Sequence, residues 1–190
     1  MNKTNIGIWV IIAVLLVIAI LIYQYVIGNP TEMPEPVVNL PPLFATYENN
    51  LFDYRIQYPG GWEFKGRSSL VAFVGPQTDL NFSTNIYVMV EETSFNNSEP
   101  ALIDKLGELN WDLEQYHNFK NETPVRLNIS DMPALEVIHS YDIMYYNIKQ
   151  ITLLVYKDYI YSIVYTSVES SYDDYFWAYE KAKETFEFIS

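Results

Sequence analysis

The run from Ile6 to Ile27 constrains this chain more than any other stretch, because 22 residues pass with only Gln24 strongly polar. As a helix it would span roughly 33 Å, enough for the ~30 Å hydrocarbon layer of a bilayer. Trp9 near one end and Tyr23 and Tyr25 near the other lie where aromatic rings favour the membrane interface. A cleaved signal peptide would need a shorter apolar core and a small-residue cleavage motif. The segment after Ile27 instead turns acidic and proline-rich, so the helix is expected to stay as an anchor. With no cysteine in the chain, neither a lipid-modified cysteine nor a disulfide is available.

Lys3 is the only basic residue before the helix, whereas Glu32 and Glu35 follow it. That asymmetry predicts residues 1–5 inside and the remainder outside, a single-pass protein of the cell membrane. Asn-x-Ser/Thr acceptors at Asn81, Asn96, Asn121 and Asn128, with another at Asn2, agree with an outer location and mark candidate glycosylation sites. Every acidic residue lies beyond the anchor, where 24 acids face 10 bases once Lys3 is set aside, a net charge of −14. Nucleic acid is thereby excluded as a partner, since a phosphate backbone is bound by clustered lysine and arginine.

Five of the ten prolines fall between Pro30 and Pro42, a density that forbids helix. Residues 28–45 therefore read as an extended stalk at about 3.1 Å per residue, and residues 46–190 as one outer domain. Within it, Phe52, Tyr54, Ile56 and Tyr58 alternate with polar residues up to Pro59-Gly60-Gly61, the period of a half-buried strand. Further strands are expected at Trp62–Phe64, Leu70–Val74 (stopped by Gly75-Pro76), Asn85–Glu91, Thr123–Ile129, Ala134–Tyr141, Tyr145–Tyr156 and Tyr159–Val168. Asp131-Met132-Pro133 and Lys157-Asp158 read as turns.

The period changes over Ser98–His117, where Leu102, Leu106, Leu109, Leu113 and Tyr116 share a helical face, with Ser98 as N-cap. A second helix is predicted over Tyr172–Phe186, opened by Ser171 and Asp174 as a capping box. The expected architecture is α+β: a mostly antiparallel sheet of six to seven strands sandwiched by helices and preceded by one transmembrane helix.

The element Phe52-x-Tyr54-x-Ile56-x-Tyr58-Pro59-x-x-Trp62, followed by Val71-x-Phe73, resembles the opening of PsbP-like and Mog-type domains. The resemblance extends over about residues 47–190: a long helix, a strand around Pro133-Ala134, a long hairpin ending in Tyr159–Tyr165, and a last helix closing on Phe186–Ile189. It implies a PsbP-like fold and a binding or accessory role in larger assemblies, such as photosystem subunits or partners of a nuclear GTPase. No functional residue carries over, and the metal-associated histidines of photosystem members have no counterpart.

The residues give little chemistry. His117 and His139 are the only histidines; His139 falls on the face of Leu135, Val137 and Tyr141, as a packed, hydrogen-bonded sheet histidine would, and His117 is expected to cap a helix end. Gly-x-Ser-x-Gly elbows, phosphate-cradling glycine loops and cysteine nucleophiles are missing from the sequence, so no catalytic residue is assigned. Carboxylate pairs at Glu91-Glu92, Asp112-x-Glu114 and Asp173-Asp174 lack the spacing of a known calcium loop, so no metal residue is assigned and no cofactor is expected. Calcium is the ion they would favour if they converged.

The 17 tyrosines are the unusual feature of composition. Tyr145, Tyr146, Tyr159 and Tyr161 lie at hairpin ends on both faces and form the candidate binding surface. The expected function is a non-catalytic, extracytoplasmic binding or accessory module for a membrane complex or envelope component, with a protein partner near the bilayer. A cation-binding protein or cation-dependent hydrolase, and a self-associating envelope protein, are the alternatives.

Overall fold

The computed structural model describes residues 43–78 and 81–189. The anchor (6–27), the five residues before it, Asn2 and the stalk up to residue 42 lie outside the described residues.

Eleven strands and two helices follow in order: β1 (Phe44–Asn49), β2 (Tyr54–Pro59), β3 (Glu63–Arg67), β4 (Leu70–Gln77), β5 (Ser83–Glu91), α1 (Ser98–Leu113), β6 (His117–Asn121), β7 (Val125–Ile129), β8 (Met132–Ile143), β9 (Tyr146–Tyr156), β10 (Ile160–Val168), a 3-10 turn (Glu169–Ser171), α2 (Tyr172–Thr185) and β11 (Glu187–Phe188). The expected single sheet of six to seven strands is instead two sheets. Eight strands run β3-β4-β5-β10-β9-β8-β6, with β7 also paired to β8, and β1-β2-β11 form a separate three-stranded sheet. The paired strands run antiparallel.

Alternation along the strands sorts side chains to the two faces of the large sheet. One face carries Phe73, Ile86, Ile163, Tyr165 and Leu153 into the main core, where they meet Tyr54 and Ile56 of the small sheet and Tyr179 and Ala182 of α2. The opposite face lies under α1, whose Ala101, Leu102 and Leu106 pack on Leu135, Val137, Leu154 and Ile160. At the end of the same helix Leu113, with Tyr116 of the following turn, closes a second apolar island with Tyr141, Ile148 and Val168.

A polar row separates the two islands. Asn85, Thr166, Gln150, His139 and Asn121 are successive cross-strand partners on five strands. Gln150 Oε1 accepts from the Tyr141 hydroxyl at 2.8 Å, and its amide donates to Thr152 Oγ1 at 3.1 Å. His139, fully buried, meets Asn110 Oδ1 of α1 at 2.9 Å.

Several local expectations are corrected. β4 does not stop at Gly75-Pro76 but continues to Gln77 through a register shift after Val74. Gly75 is needed there because a Cβ would come within 2.7 Å of the Trp62 indole. The turn before β8 is Ser130-Asp131, both at positive φ, so Met132 and Pro133 already belong to the strand. α1 is capped by Asn97, whose Oδ1 accepts from Glu99 N at 3.1 Å, not by Ser98. α1 ends at Leu113, so His117 opens β6 instead of capping a helix. Ser171 makes no side-chain cap, since the 3-10 turn supplies Glu169 O to the Tyr172 amide.

Candidate binding groove

On the α2 side of the domain, the outer face of β1 and β2 meets the C-terminal half of α2, β11 and the β7–β8 turn around a groove of about 1340 Å³. Its residues are placed by two periodicities. In β2, Tyr54 and Ile56 point into the core, so Arg55 and Gln57 face the groove, opposite Glu48 and Thr46 of β1. In α2, Ala178, Tyr179 and Ala182 are buried, which turns Trp177, Lys181 and Glu184 outward along one side.

The small sheet is fastened to the helix at the groove floor. Gln57 N donates to Thr185 Oγ1 at 3.0 Å, which satisfies a β2 amide beyond the two residues that β11 pairs. Ser130 Oγ donates to Phe186 O at 2.8 Å and ties in the β7–β8 turn.

The three cations lining the groove are each paired within the chain. Arg55 is paired with Glu187 and reaches Glu48 at 4.0 Å, and Lys181 Nζ lies 3.1 Å from Glu184. Lys183 Nζ donates to Glu136 Oε1 at 2.6 Å, and the Tyr179 hydroxyl donates to the same oxygen at 2.7 Å. Burial, and then the charge of Glu136, hold the Tyr179 phenol well above its ordinary range, so it remains a donor. Four carboxylates (Glu48, Glu180, Glu184 and Glu187) and three cations (Arg55, Lys181 and Lys183) line the groove. It is therefore close to neutral in a strongly acidic domain.

Its aromatic wall is formed by Phe44 and Trp177, edge to face at 5.9 Å, with Lys181 Nζ 5.7 Å from the Phe44 ring. An open, near-neutral cleft with aromatic walls and paired charges suits a peptide segment better than a bare ion.

The tyrosine surface expected from the sequence is not one surface. Tyr145, 94% exposed, and Tyr146 stand at the β8–β9 end, where Tyr146 packs edge-on against Phe82. Tyr159 and Tyr161 stand at the other end of β9, about 35 Å away at ~3.3 Å per strand residue. Tyr161 is only 2% exposed; its hydroxyl donates to Phe52 O at 2.9 Å, and its ring meets Phe186 and Phe188. Strand alternation predicts rings on both faces, but it does not reveal that β2 and β11 cover one of them.

Asn81, Asn96, Asn121 and Asn128 are all exposed, and Asn128 stands on the lip of the groove. The carboxylate pairs stay apart: Glu91 is held by Lys105 at 2.6 Å, while Asp173 and Asp174 sit in the first turn of α2. Among the described residues no group of three or more His, Cys, Asp or Glu side chains is arranged to hold a metal ion. His139 meets Asn110 through Nε2, and its Nδ1 has no hydrogen-bond partner among the described residues. Desolvation lowers its pKa to about 4.

No protein-family model matches the chain, and no curated protein matches it. Solved structures do. The cyanobacterial PsbP of Synechocystis is similar over 85% of this chain and 98% of its own, with a TM-score of 0.57 at 12% identity. The Ran-binding protein Mog1p of Saccharomyces cerevisiae is similar over 78% of this chain and 97% of its own, with a TM-score of 0.56 at 10% identity. LpqN, involved in cell envelope biogenesis in Mycobacterium tuberculosis, is similar over 80% and 87%, with a TM-score of 0.55 at 12% identity. At such identities the likeness establishes a shared fold: the domain is PsbP-like.

Proposed function

We propose that this PsbP-like domain is a non-catalytic binding or accessory module, held outside the cell membrane by the Ile6–Ile27 helix, whose α2-side groove receives a segment of a membrane or envelope protein. The observation that carries this reading is the groove itself. Its cations are paired within the chain before any ligand arrives, its wall is aromatic, and its floor is fixed by the Gln57–Thr185 and Ser130–Phe186 bonds, so it offers a preformed surface instead of a reacting centre. The roles of similarly folded proteins support it by analogy, since one binds Ran and another serves envelope biogenesis. The burial of His139 on the α1 side of the sheet, away from the groove, is in keeping with a non-catalytic role.

The test is affinity capture with the full-length chain from solubilised membranes of the cells that make it, comparing wild type with a Trp177→Ala/Lys181→Glu variant whose circular dichroism is unchanged. A protein recovered with the wild type and lost from the variant supports the groove as its site. Equal recovery from both, or recovery of nothing, overturns the assignment.

A further inference from the structure

The solvent face of α1 is not an ordinary polar surface. Trp111 is 62% exposed and Ile103 46% exposed, and Gly107 lies between them with open space where a Cβ would stand. Residues four apart line up as one ridge on a helix, so Ile103, Gly107 and Trp111 form an apolar ridge with a notch at its centre. The adjacent ridge, one residue on, is Asp104, Glu108 and Asp112, and Glu99 and Glu114 stand at the two ends. The helix with its caps thus carries five carboxylates; Glu99 is paired with Arg126, and the other four face one cation of the helix, Lys105.

Lys105 is already engaged. Its Nζ lies 2.6 Å from Glu91 and 3.5 Å from Glu108. Asp112 shares the same neighbourhood: burial raises its carboxyl pKa most, Lys105 lowers it, and the charges of Glu108 and Glu91 raise it further. One ammonium among three carboxylates leaves an uncompensated negative field beside an exposed tryptophan. A central aromatic ringed by polar groups is the anatomy of a protein contact, and the notch at Gly107 would admit a side chain from a second helix.

Charge decides the occupant. A second copy would set acid against acid, and an anionic lipid surface would be repelled in the same way. We propose that the outer face of α1 is a docking surface for a basic amphipathic helix of a partner protein, whose apolar residues straddle Trp111 and whose lysines or arginines meet Asp104, Glu108 and Asp112. This goes beyond the groove reading, because α1 and α2 cover opposite faces of the large sheet and either surface fails or stands without the other.

The proposal is tested with the full-length chain in phosphatidylcholine nanodiscs, titrated with a fluorescent leucine-lysine amphipathic helix and with its leucine-glutamate counterpart. The lysine peptide should bind saturably and more weakly as salt rises, Trp111→Ala should weaken it about tenfold or more, and D104K/E108K should abolish it. The glutamate peptide should bind only the charge-reversed variant. All three positions are exposed, so the variants should keep the wild-type circular dichroism. Failure of the lysine peptide to bind, or equal affinity for wild type and both variants, overturns the proposal. Self-association of the wild type that Trp111→Ala abolishes overturns it in favour of a second copy.

Discussion

His139 shows at the scale of one residue how burial sets both a conformation and a pH response. It is a polar ring on a face otherwise given to Leu135, Val137 and Tyr141, stacked with Phe119 at 5.8 Å and held by Asn110. Its pKa falls from 6.5 to about 4 because the charged form loses its hydration. The unfolded chain therefore binds the proton first, and stability should be fully present above pH 6.5 and lost as pH falls from there towards 4. The loss attributable to this group is up to roughly 3 kcal/mol. Urea denaturation between pH 7 and 5, where most carboxylates remain ionised, should show a downward slope in the wild type that His139→Gln lacks. Parallel curves for the two proteins would refute the assignment. The sequence was sufficient to place this ring on a packed face, since alternation along β8 has a fixed period. The identity of its partner was not legible there, because Asn110 is 29 positions away on another element.

At the scale of elements, the His139–Asn110 contact in the polar row ties α1 to one register over β8, β9 and β10. Two apolar islands alone would tolerate sliding, whereas His139 must find Asn110 of the helix; Gln150 binds Tyr141, Thr152 and Thr166 within the sheet beneath it. Gln150→Leu would leave the buried Tyr141 hydroxyl without its 2.8 Å acceptor and should cost about 1–3 kcal/mol, read as a lower urea midpoint with unchanged slope. The companion change Tyr141→Phe should recover part of that loss when combined with it, since both partners are then apolar. If the double variant is as unstable as the two single losses added together, the two side chains are not coupled. The helices and most strand centres were readable from their periods of 3.6 and 2. β6 was not, because its exposed, polar His117–Asn121 has no apolar alternation and is held as a strand by β8 alone.

For the whole molecule, the decisive quantity is which side of the membrane the domain occupies. Lys3 and the acidic residues after Ile27 favour an outer domain. Protease added to intact cells should then remove the folded part from a terminally tagged chain, while a cytoplasmic control protein survives. Protection until lysis would place the domain inside and end the extracytoplasmic reading. Among the described residues no helix is long and apolar enough to cross a membrane, so the proposed anchoring rests on the Ile6–Ile27 sequence. The near-neutral groove and the acidic ridge of α1 face away from each other across the large sheet, so the two proposed surfaces would not compete for the same partner.

What the amino-acid order determined by itself is whatever depends on neighbours close along the chain: the apolar run, the proline-rich stretch, the alternation of β2, β5, β8, β9 and β10, the helical faces of α1 and α2, and the aromatic Phe52–Trp62 element. What only the tertiary structure decided is whatever joins distant segments. The division into two sheets, the burial of Tyr161 beneath Phe186 and Phe188, the separation of the two tyrosine pairs by the length of β9, and the meeting of Arg55, Lys183 and Ser130 around one groove all belong there. The physical reason is that a side chain's period reveals which way it points, but what stands opposite it depends on contacts between residues tens of positions apart, and these form only when the layers pack.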